Sequence, residues 1–472
     1  MLFFGAVTWE AVGRDSLRRG VNPMRGAAII VVAATAVAIV IDVHAAPIER
    51  NPTTINEPTS DKRPSEVREA IKLFEGGNAE KAFELLKAAS AKYPNLAPPR
   101  VMLANMYISD RQRALGLQQL ELAAIESPDD SEPHLIFGDI AIFEHRASDA
   151  EAQYEAGRTL LAKYSADAKR KAALFSQCQL GLANVAKLRG RWEAVQKQLA
   201  LLLETQPQNA TAHERMAEAQ IAIGKPDGAL KELQAAVKAD SKLPPAPMLM
   251  AEIYRQIGNG TEVENWLRRA VKDSPQDIRA RLAMGKWFLD EGRLEESAAE
   301  FAAAEKIDPK STEVKLGLGT VARYQHNHAK ARQNFEAVLE QAPGNFSAGN
   351  QLALEMADQA DQSKLRQALE IATANLRSAP QNVEAESTLG WVHYKLGNLD
   401  EAERYLRASA APGVLSRDTA FFVAKLAFDR GKRDESLHFL RQAVENRGPF
   451  AHADEAALWL AQRTKSSEAP KK

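Results

Sequence analysis

The sequence predicts an all-α solenoid, a stack of about ten or eleven helix-turn-helix units between residues 63 and 463. Three observations predict it. Prolines fit to end helices recur at Pro94, Pro128, Pro207, Pro275, Pro309, Pro343 and Pro380; the steps from Pro94 to Pro128, Pro275 to Pro309 and Pro309 to Pro343 are 34 residues, and that from Pro207 to Pro275 is 68, two such units with Ser241 at the missing proline. A period near 34 residues is the mark of a helical-hairpin repeat. Small residues recur at position 8 of each unit when its proline is counted as position 32: Ala104, Gly138, Ala183, Ala217, Ala251, Gly285, Gly319, Ala353 and Gly390. Glycine and asparagine fall midway between prolines, at Gly76-Gly77-Asn78, Gly190, Gly224, Gly258-Asn259-Gly260, Gly292, Gly397-Asn398 and Gly431, where a turn must reverse the chain.

The segments ahead of the array differ in character. Residues 1–46 contain an apolar run, Ala27 to Ile41, preceded by Arg25 and followed by Asp42-Val43-His44-Ala45-Ala46-Pro47. A basic start, a short apolar stretch and a small-residue site make an export signal, with Val43 and Ala45 at the −3 and −1 positions and cleavage after Ala45. The alternative is a retained anchor through residues 27–41, although that run as a helix spans only about 22 Å of a roughly 30 Å hydrocarbon core. Met24 followed by Arg25 reads as the initiator. No cysteine stands at the end of the run, which excludes a bacterial-type lipoprotein anchor. Residues 47–62, rich in Pro, Thr, Asn and charge, read as a disordered linker, and residues 464–472 as a disordered tail.

Within the array each conserved spacing has a physical reason. A small residue at position 8 and alanine at position 20 let the two helices of a unit approach, and a large residue at position 24 fills the space beside them. The proline cannot continue a helix and biases its predecessor toward extended backbone. Two units are irregular. Around Ser165 the third runs on without a proline, and TLLAKYSADAKRKAALFSQ predicts longer helices. The ninth carries three extra residues in ADQADQSK, Ala357 to Lys364, which predicts a longer loop inside the unit.

The pattern closely resembles the tetratricopeptide repeat family. The seventh unit gives Arg281, Met284, Gly285, Phe288, Ser297, Phe301 and Pro309 at the family offsets. The eighth gives Leu318, Gly319, Ala322, Ala331, Phe335 and Pro343. The tenth reads LGWVHYKLGNLDEAERYL. The resemblance implies a right-handed superhelix whose first helix in each unit lines a concave groove through positions 2, 5, 9, 12 and 13. It implies a protein partner, a peptide or a helix, held there. The groove candidates are Asn105, Asp139, Asn184, Glu218, Glu252, Arg255, Lys286, Arg323, Trp391 and Tyr394. Asn105 and Asn184 can hold a peptide backbone through donor and acceptor together. Position 5, with Val101, Leu135, Leu180, Met248, Leu282 and Leu316, supplies an apolar strip. Glu214, Glu218 and Glu252 make the middle acidic, and Arg255, Arg279, Lys286 and Arg323 make a basic patch beyond. The family's chaperone-tail binders pair Lys at position 5 with Asn at position 9. Here Asn105 follows Val101 and Asn184 follows Leu180, so that clamp is missing.

The composition argues for binding without catalysis. With 61 basic and 62 acidic residues, the chain lacks the positive charge of a general nucleic-acid binder, and Lys169-Arg170-Lys171 reads as a solvated helix face. The single cysteine, Cys178, reads as a packed side chain. No phosphate loop, HExxH, GxSxG or CxxC motif is present. Gly317-Leu318-Gly319 falls on core positions, and His326-Asn327-His328 lies in a turn. Hence no catalytic, cofactor or metal residue is assigned. An export signal followed by repeats resembles bacterial envelope proteins that assemble or secrete surface polymers and exported proteins. The expected function is an envelope interaction scaffold, touching a membrane only through its amino-terminal segment. The alternatives are an accessory subunit of polysaccharide or protein export that contacts glycan through Trp391 and Tyr394, and a passive spacer.

Overall fold

The computed structural model describes residues 63–359, 361–410, 415–446 and 448–467. The amino-terminal readings, including the signal or anchor and the linker, lie outside these residues. Among the described residues there are 23 helices and no strand. They fall into eleven hairpin units. The first six are α1 (Ser65–Glu75) with α2 (Ala79–Lys92), α3 (Pro99–Ser109) with α4 (Arg113–Glu126), α5 (Glu132–Phe143) with α6 (Ala147–Lys163), α7 (Ala168–Leu188) with α8 (Trp192–Thr205), α9 (Ala210–Ala222) with α10 (Pro226–Ala239), and α11 (Ala246–Gln256) with α12 (Gly260–Asp273). The other five are α13 (Ile278–Asp290) with α14 (Leu294–Ile307), α15 (Thr312–Tyr324) with α16 (His328–Gln341), α17 (Phe346–Asp358) with α18 (Gln362–Ser378), α19 (Val383–Lys395) with α20 (Leu399–Ala410), and α21 (Arg417–Asp429) with α22 (Arg433–Glu445). A last helix, α23 (Ala453–Ser467), packs on α22.

The prolines act as the spacing predicts. The second helix of a unit stops two residues before each, as at Lys92 before Pro94 and Ile307 before Pro309. The intervening residue leaves helical backbone, with Tyr93 at φ −125° and ψ 94°. Asp240, ahead of Ser241, does the same at φ −130° and ψ 100°, so the turn survives without its proline. The turns inside units need a left-handed residue. Seven use glycine, and three use Arg111, His145 and His326 at φ 61°, 58° and 55°. His326 is thus a backbone hinge, while Asn327 caps α16 by accepting from the Lys330 amide at 3.2 Å.

Packing between layers rests on one repeated motif. In the third and seventh units the large residue at position 24 lies between a glycine of its own first helix and a glycine of the next unit. A β-carbon added at Gly138 would lie 2.7 Å from the Tyr154 ring, and one at Gly181 2.3 Å from its other side. Phe301 is bracketed in the same way by Gly285, at 2.9 Å, and Gly317, at 2.7 Å. Gly317 and Gly319 are therefore seats for Phe301 and Phe335. Where position 20 is serine, its hydroxyl is satisfied locally: Ser297 donates to the Gly285 carbonyl and Ser436 to that of Ala424, both at 2.8 Å. A second motif is polar. Positions 4 and 23 pair across the hairpin as Arg100–Gln119 (2.8 Å), His134–Gln153 (2.8 Å), His213–Glu232 (2.6 Å) and Arg281–Glu300 (3.0 Å).

The irregular units divide. In the third and fourth, α6 and α7 are long, at 17 and 21 residues, as the sequence predicts. In the ninth, the extra residues do not form a longer loop. The first helix α17 keeps 13 residues and α18 grows to 17, against 14 in α16. Adding residues to a helix satisfies every new backbone group internally, which a longer loop does not. Arg170 also departs from the solvated reading. Its side chain is buried and bonds Asp130 at 2.8 and 3.0 Å and Glu132 at 2.7 Å, bridging the long connection to the preceding unit. Cys178 is fully buried and directs its thiol at the Tyr154 carbonyl (3.4 Å), and burial pushes it up to about 12.

Tyr154 cannot retreat from its seat, because its hydroxyl donates to Asp139 at 2.6 Å. Gly181→Ala should therefore lower stability by about 1–3 kcal/mol, although alanine in a helix ordinarily gains about 1 kcal/mol over glycine. A urea titration followed by circular dichroism checks this, and a stabilised variant would show that the ring yields.

Candidate functional site

Inner and outer faces are set by which helices touch. First helices of successive units meet at α5 with α7, and then without interruption at α13–α15, α15–α17, α17–α19 and α19–α21. Second helices make no contacts of that extent, so the odd-numbered helices line the inner face. From α1 to α5 and again from α7 to α13 the inner helices separate, with α5 and α7 the one touching pair in that stretch, and after α13 they close up. The predicted site residues follow this division.

In the open arc the groups remain accessible. Glu252 and Lys286 are exposed, and Asn105, Asn184, Glu218 and Asp139 are half-buried. Asp139 accepts from Tyr154 and, at 2.7 Å, from the Gln177 amide; burial raises its carboxyl against these two hydrogen bonds. Asn184 accepts from Arg215 at 2.9 Å, and burial lowers that guanidinium. Glu218 pairs with Lys187 at 2.6 Å and Glu252 with Arg255 at 2.6 Å. Glu214 is raised by burial and then by the charge of Glu218. Gln177, Lys187 and Arg215 join this polar row although the sequence did not single them out; their recurrence at inner-face positions was the available signal. Two apolar rim residues, Phe143 (56% exposed) and Leu188 (42%), face solvent beside it. Val101 and Leu135, expected on the apolar strip, are fully buried instead, Val101 in the cluster with Leu120 and Ala123 and Leu135 in that with Tyr154 and Leu161.

In the closed arc three predicted groove residues are corrected. Arg323 is 1% exposed, so it is no part of a solvent-facing basic patch. It reaches Asp358 and Asp418, each at 3.5 Å, and donates to Gln351 at 3.2 Å. Trp391 is 2% exposed and sandwiched: Phe422 stacks on it at 4.2 Å and Tyr394 at 5.0 Å, and its indole N–H donates to Asp358 at 2.9 Å. Tyr394 is half-buried and donates to Asp429 at 2.7 Å. With both faces of the indole covered, Trp391 offers no platform to a sugar. Sequence position places these residues on the inner face, but their burial comes from helices one to three units away.

The segment after α22 completes the closure. Phe450 packs 6.0 Å from Phe421 and under the Arg417 guanidinium at 4.4 Å, and the His452 ring stacks on Phe421 at 4.8 Å. His452 lies 3.2 Å from Asp358 and 3.6 Å from Glu455. Burial opposes its charge, but the contacts with Asp358 and Glu455 outweigh it and raise the imidazole to about 9. Burial would likewise raise Asp358, yet its hydrogen bond to His452 and the charges of His452 and Arg323 hold it down at about 2. Elsewhere His328 pairs with the buried Glu355 at 2.8 Å, and the His326 ring lies edge-on to that of His328 at 6.4 Å. Among the described residues no group of three or more His, Cys, Asp or Glu is placed to hold a metal ion, and no helix is long and apolar enough to cross a membrane.

The comparisons agree with the repeat geometry. Family models described as tetratricopeptide repeat match residues 220–286 and 358–414. This chain is a tetratricopeptide-repeat protein. Such repeats serve as protein-interaction scaffolds. No curated protein sequence matches the chain. Among solved structures it is similar to yeast Tom70 at 12% identity, covering 85% of this chain and 95% of that one, with a TM-score of 0.35. It is also similar to PilW, a type IV pilus biogenesis factor, at 20% identity, covering 42% and 90%, TM-score 0.35. Pseudomonas aeruginosa pilF matches at 18% identity, covering 48% and 99%, TM-score 0.35. At these identities and scores nothing of those proteins' roles transfers to this tetratricopeptide-repeat chain.

The His452 contacts give a pH dependence whose sign is fixed. A histidine raised from 6.5 to about 9 on folding stabilises fully below pH 6.5, and that contribution is lost as pH rises toward 9. The loss amounts to up to roughly 3 kcal/mol. Thermal melts of the parent should fall between pH 6.5 and 9, and His452→Gln should flatten that slope. An unchanged slope in the variant would contradict the assignment.

Proposed function

We propose that this tetratricopeptide-repeat protein binds segments of partner proteins along the open arc of its inner face, from α3 to α13, and that it works in the cell envelope. One observation carries the binding reading. Equivalent inner positions change from accessible, at Glu252 and Lys286, to sealed, at Leu354 and Trp391, so the chain leaves one stretch of its inner face uncovered. That stretch combines exposed apolar groups, Phe143 and Leu188, with carboxylates at Glu214 and Glu218, the first of them raised by burial and then by its neighbour's charge. A partner segment that fits places an apolar side chain on Phe143 and Leu188 and a basic one beside Glu214 and Glu218. It would relieve the repulsion between those carboxylates as it binds. The same row has no nucleophile–base pair, which favours recognition over chemistry. The glycan-accessory reading loses its main aromatic platform with the burial of Trp391.

The binding reading is tested by photo-crosslinking in native envelope extract. A photoreactive phenylalanine analogue at Phe143, Leu188 or Lys286 should capture a common partner, and the same group on the outer helix at Ile125 should not. Capture from Ile125 alone would move the interface to the outer face. The envelope reading rests on the amino-terminal sequence, and sequencing of the mature chain tests it. A start at Ala46 supports export with cleavage after Ala45, whereas a mature chain that keeps residues 27–41 supports an anchor.

A further inference from the structure

In a regular solenoid each unit touches only its neighbours. Arg323 breaks that rule. From α15, in the eighth unit, its guanidinium reaches Asp358 in the ninth and Asp418 in the eleventh, a partner 95 residues away in sequence. The guanidinium meets carboxylates from both units, and it is 1% exposed. Beneath it the inner face is filled by its own residues. Ser387 and Thr419 hydroxyls meet at 2.7 Å, Trp391 lies against Phe422, and Phe450 and His452 of the last connection cover Phe421. A single apolar core runs from Ala322 to Ala456, whereas the rest of the described array is divided among smaller clusters.

We propose that Arg323 is a latch: its cross-groove pairing with Asp358 and Asp418 holds the last four units as one closed block, and its release bares an aromatic second face built from Trp391, Phe421 and Phe422. The latch suits that role because withdrawing the guanidinium leaves the largely buried Asp418 without its ion-pair partner and Asp358 with His452 as its remaining charged partner. An uncharged residue at 323 removes the bond between units three apart, and the aromatic layers beneath are then free to part. The groove would then have two states, with a partner-accessible arc up to α13 in the closed state and a longer one in the open state. This inference does not require the open arc to bind anything, so it stands or falls separately from the proposed function.

The test is thiol accessibility. Ser387 is 4% exposed on the closed face, and Ser387→Cys puts a reporter there; the native Cys178, fully buried in the fourth unit, reports on unfolding elsewhere. Reaction with an aromatic disulfide reagent is followed in the Ser387→Cys chain and in the same chain carrying Arg323→Met. The latch predicts that Cys at 387 is protected in the first and reacts at least tenfold faster in the second, with Cys178 unchanged. A rate that Arg323→Met leaves unchanged overturns it, as does rapid labelling before the latch is removed. If both thiols accelerate together, Arg323→Met has unfolded the array; the charge-balanced variant Arg323→Met/Asp418→Asn, which keeps Asp358 for His452, is then read by the same two criteria.

Discussion

The structure depends on a steric fit, seen most sharply in the third and seventh units: one large side chain seated between two residues that have no side chain. Tyr154 between Gly138 and Gly181, and Phe301 between Gly285 and Gly317, set the distance between helix layers. A β-carbon at any of these four glycines would overlap the ring it faces. Since interiors are packed to crystal density, such a fit tolerates little change in volume on either side. The 34-residue period is therefore a packing period. Everything else, from the proline stops to the left-handed turns, returns the chain to the point where the next large residue meets its pair of small ones.

That constraint acts between adjacent layers and says nothing about curvature. Curvature is decided on the inner face, where the α9 and α11 units stay apart and the α15 to α21 units draw together. In the open stretch, inner positions hold charges of both signs, partly paired as Lys187–Glu218 and Arg255–Glu252 near solvent. Pairs so exposed contribute little to stability. In the closed stretch the same positions hold Trp391, Phe421, Leu354 and the Arg323 cluster. Apolar area and the pairing of the guanidinium with Asp358 and Asp418 both favour closure there. A single chain thus carries an accessible inner surface followed by a sealed one, and the seal restricts where a partner can lie.

Most of the fold was legible in the sequence, because its determinants are local. Pro309, Gly285 and Phe301 each act within one unit or on the next, and their spacing can be counted. The site was legible only in part. Asn105, Glu218, Glu252 and Lys286 sit on the inner face as the position count implies. Arg323 and Trp391 occupy equivalent positions but are buried, because the residues that bury them come from as far as Asp418 and His452. No local pattern records a contact between units three apart. Arg170 was misread for the same reason: a run of Lys169-Arg170-Lys171 resembles a wet face until Asp130 and Glu132 are brought against it. The ninth unit shows a further limit, since three inserted residues have the same length whether they enter a loop or lengthen α18.

The division into an open and a sealed inner face is the claim on which the rest turns, and native-state hydrogen exchange read by mass spectrometry across the whole chain tests it most directly. Amides of α15, α17, α19 and α21 should exchange slowest and together, as one cooperative block, with α3, α9 and α11 exchanging faster and unit by unit. Uniform protection along the array, or a last block that opens one helix at a time, would contradict the account.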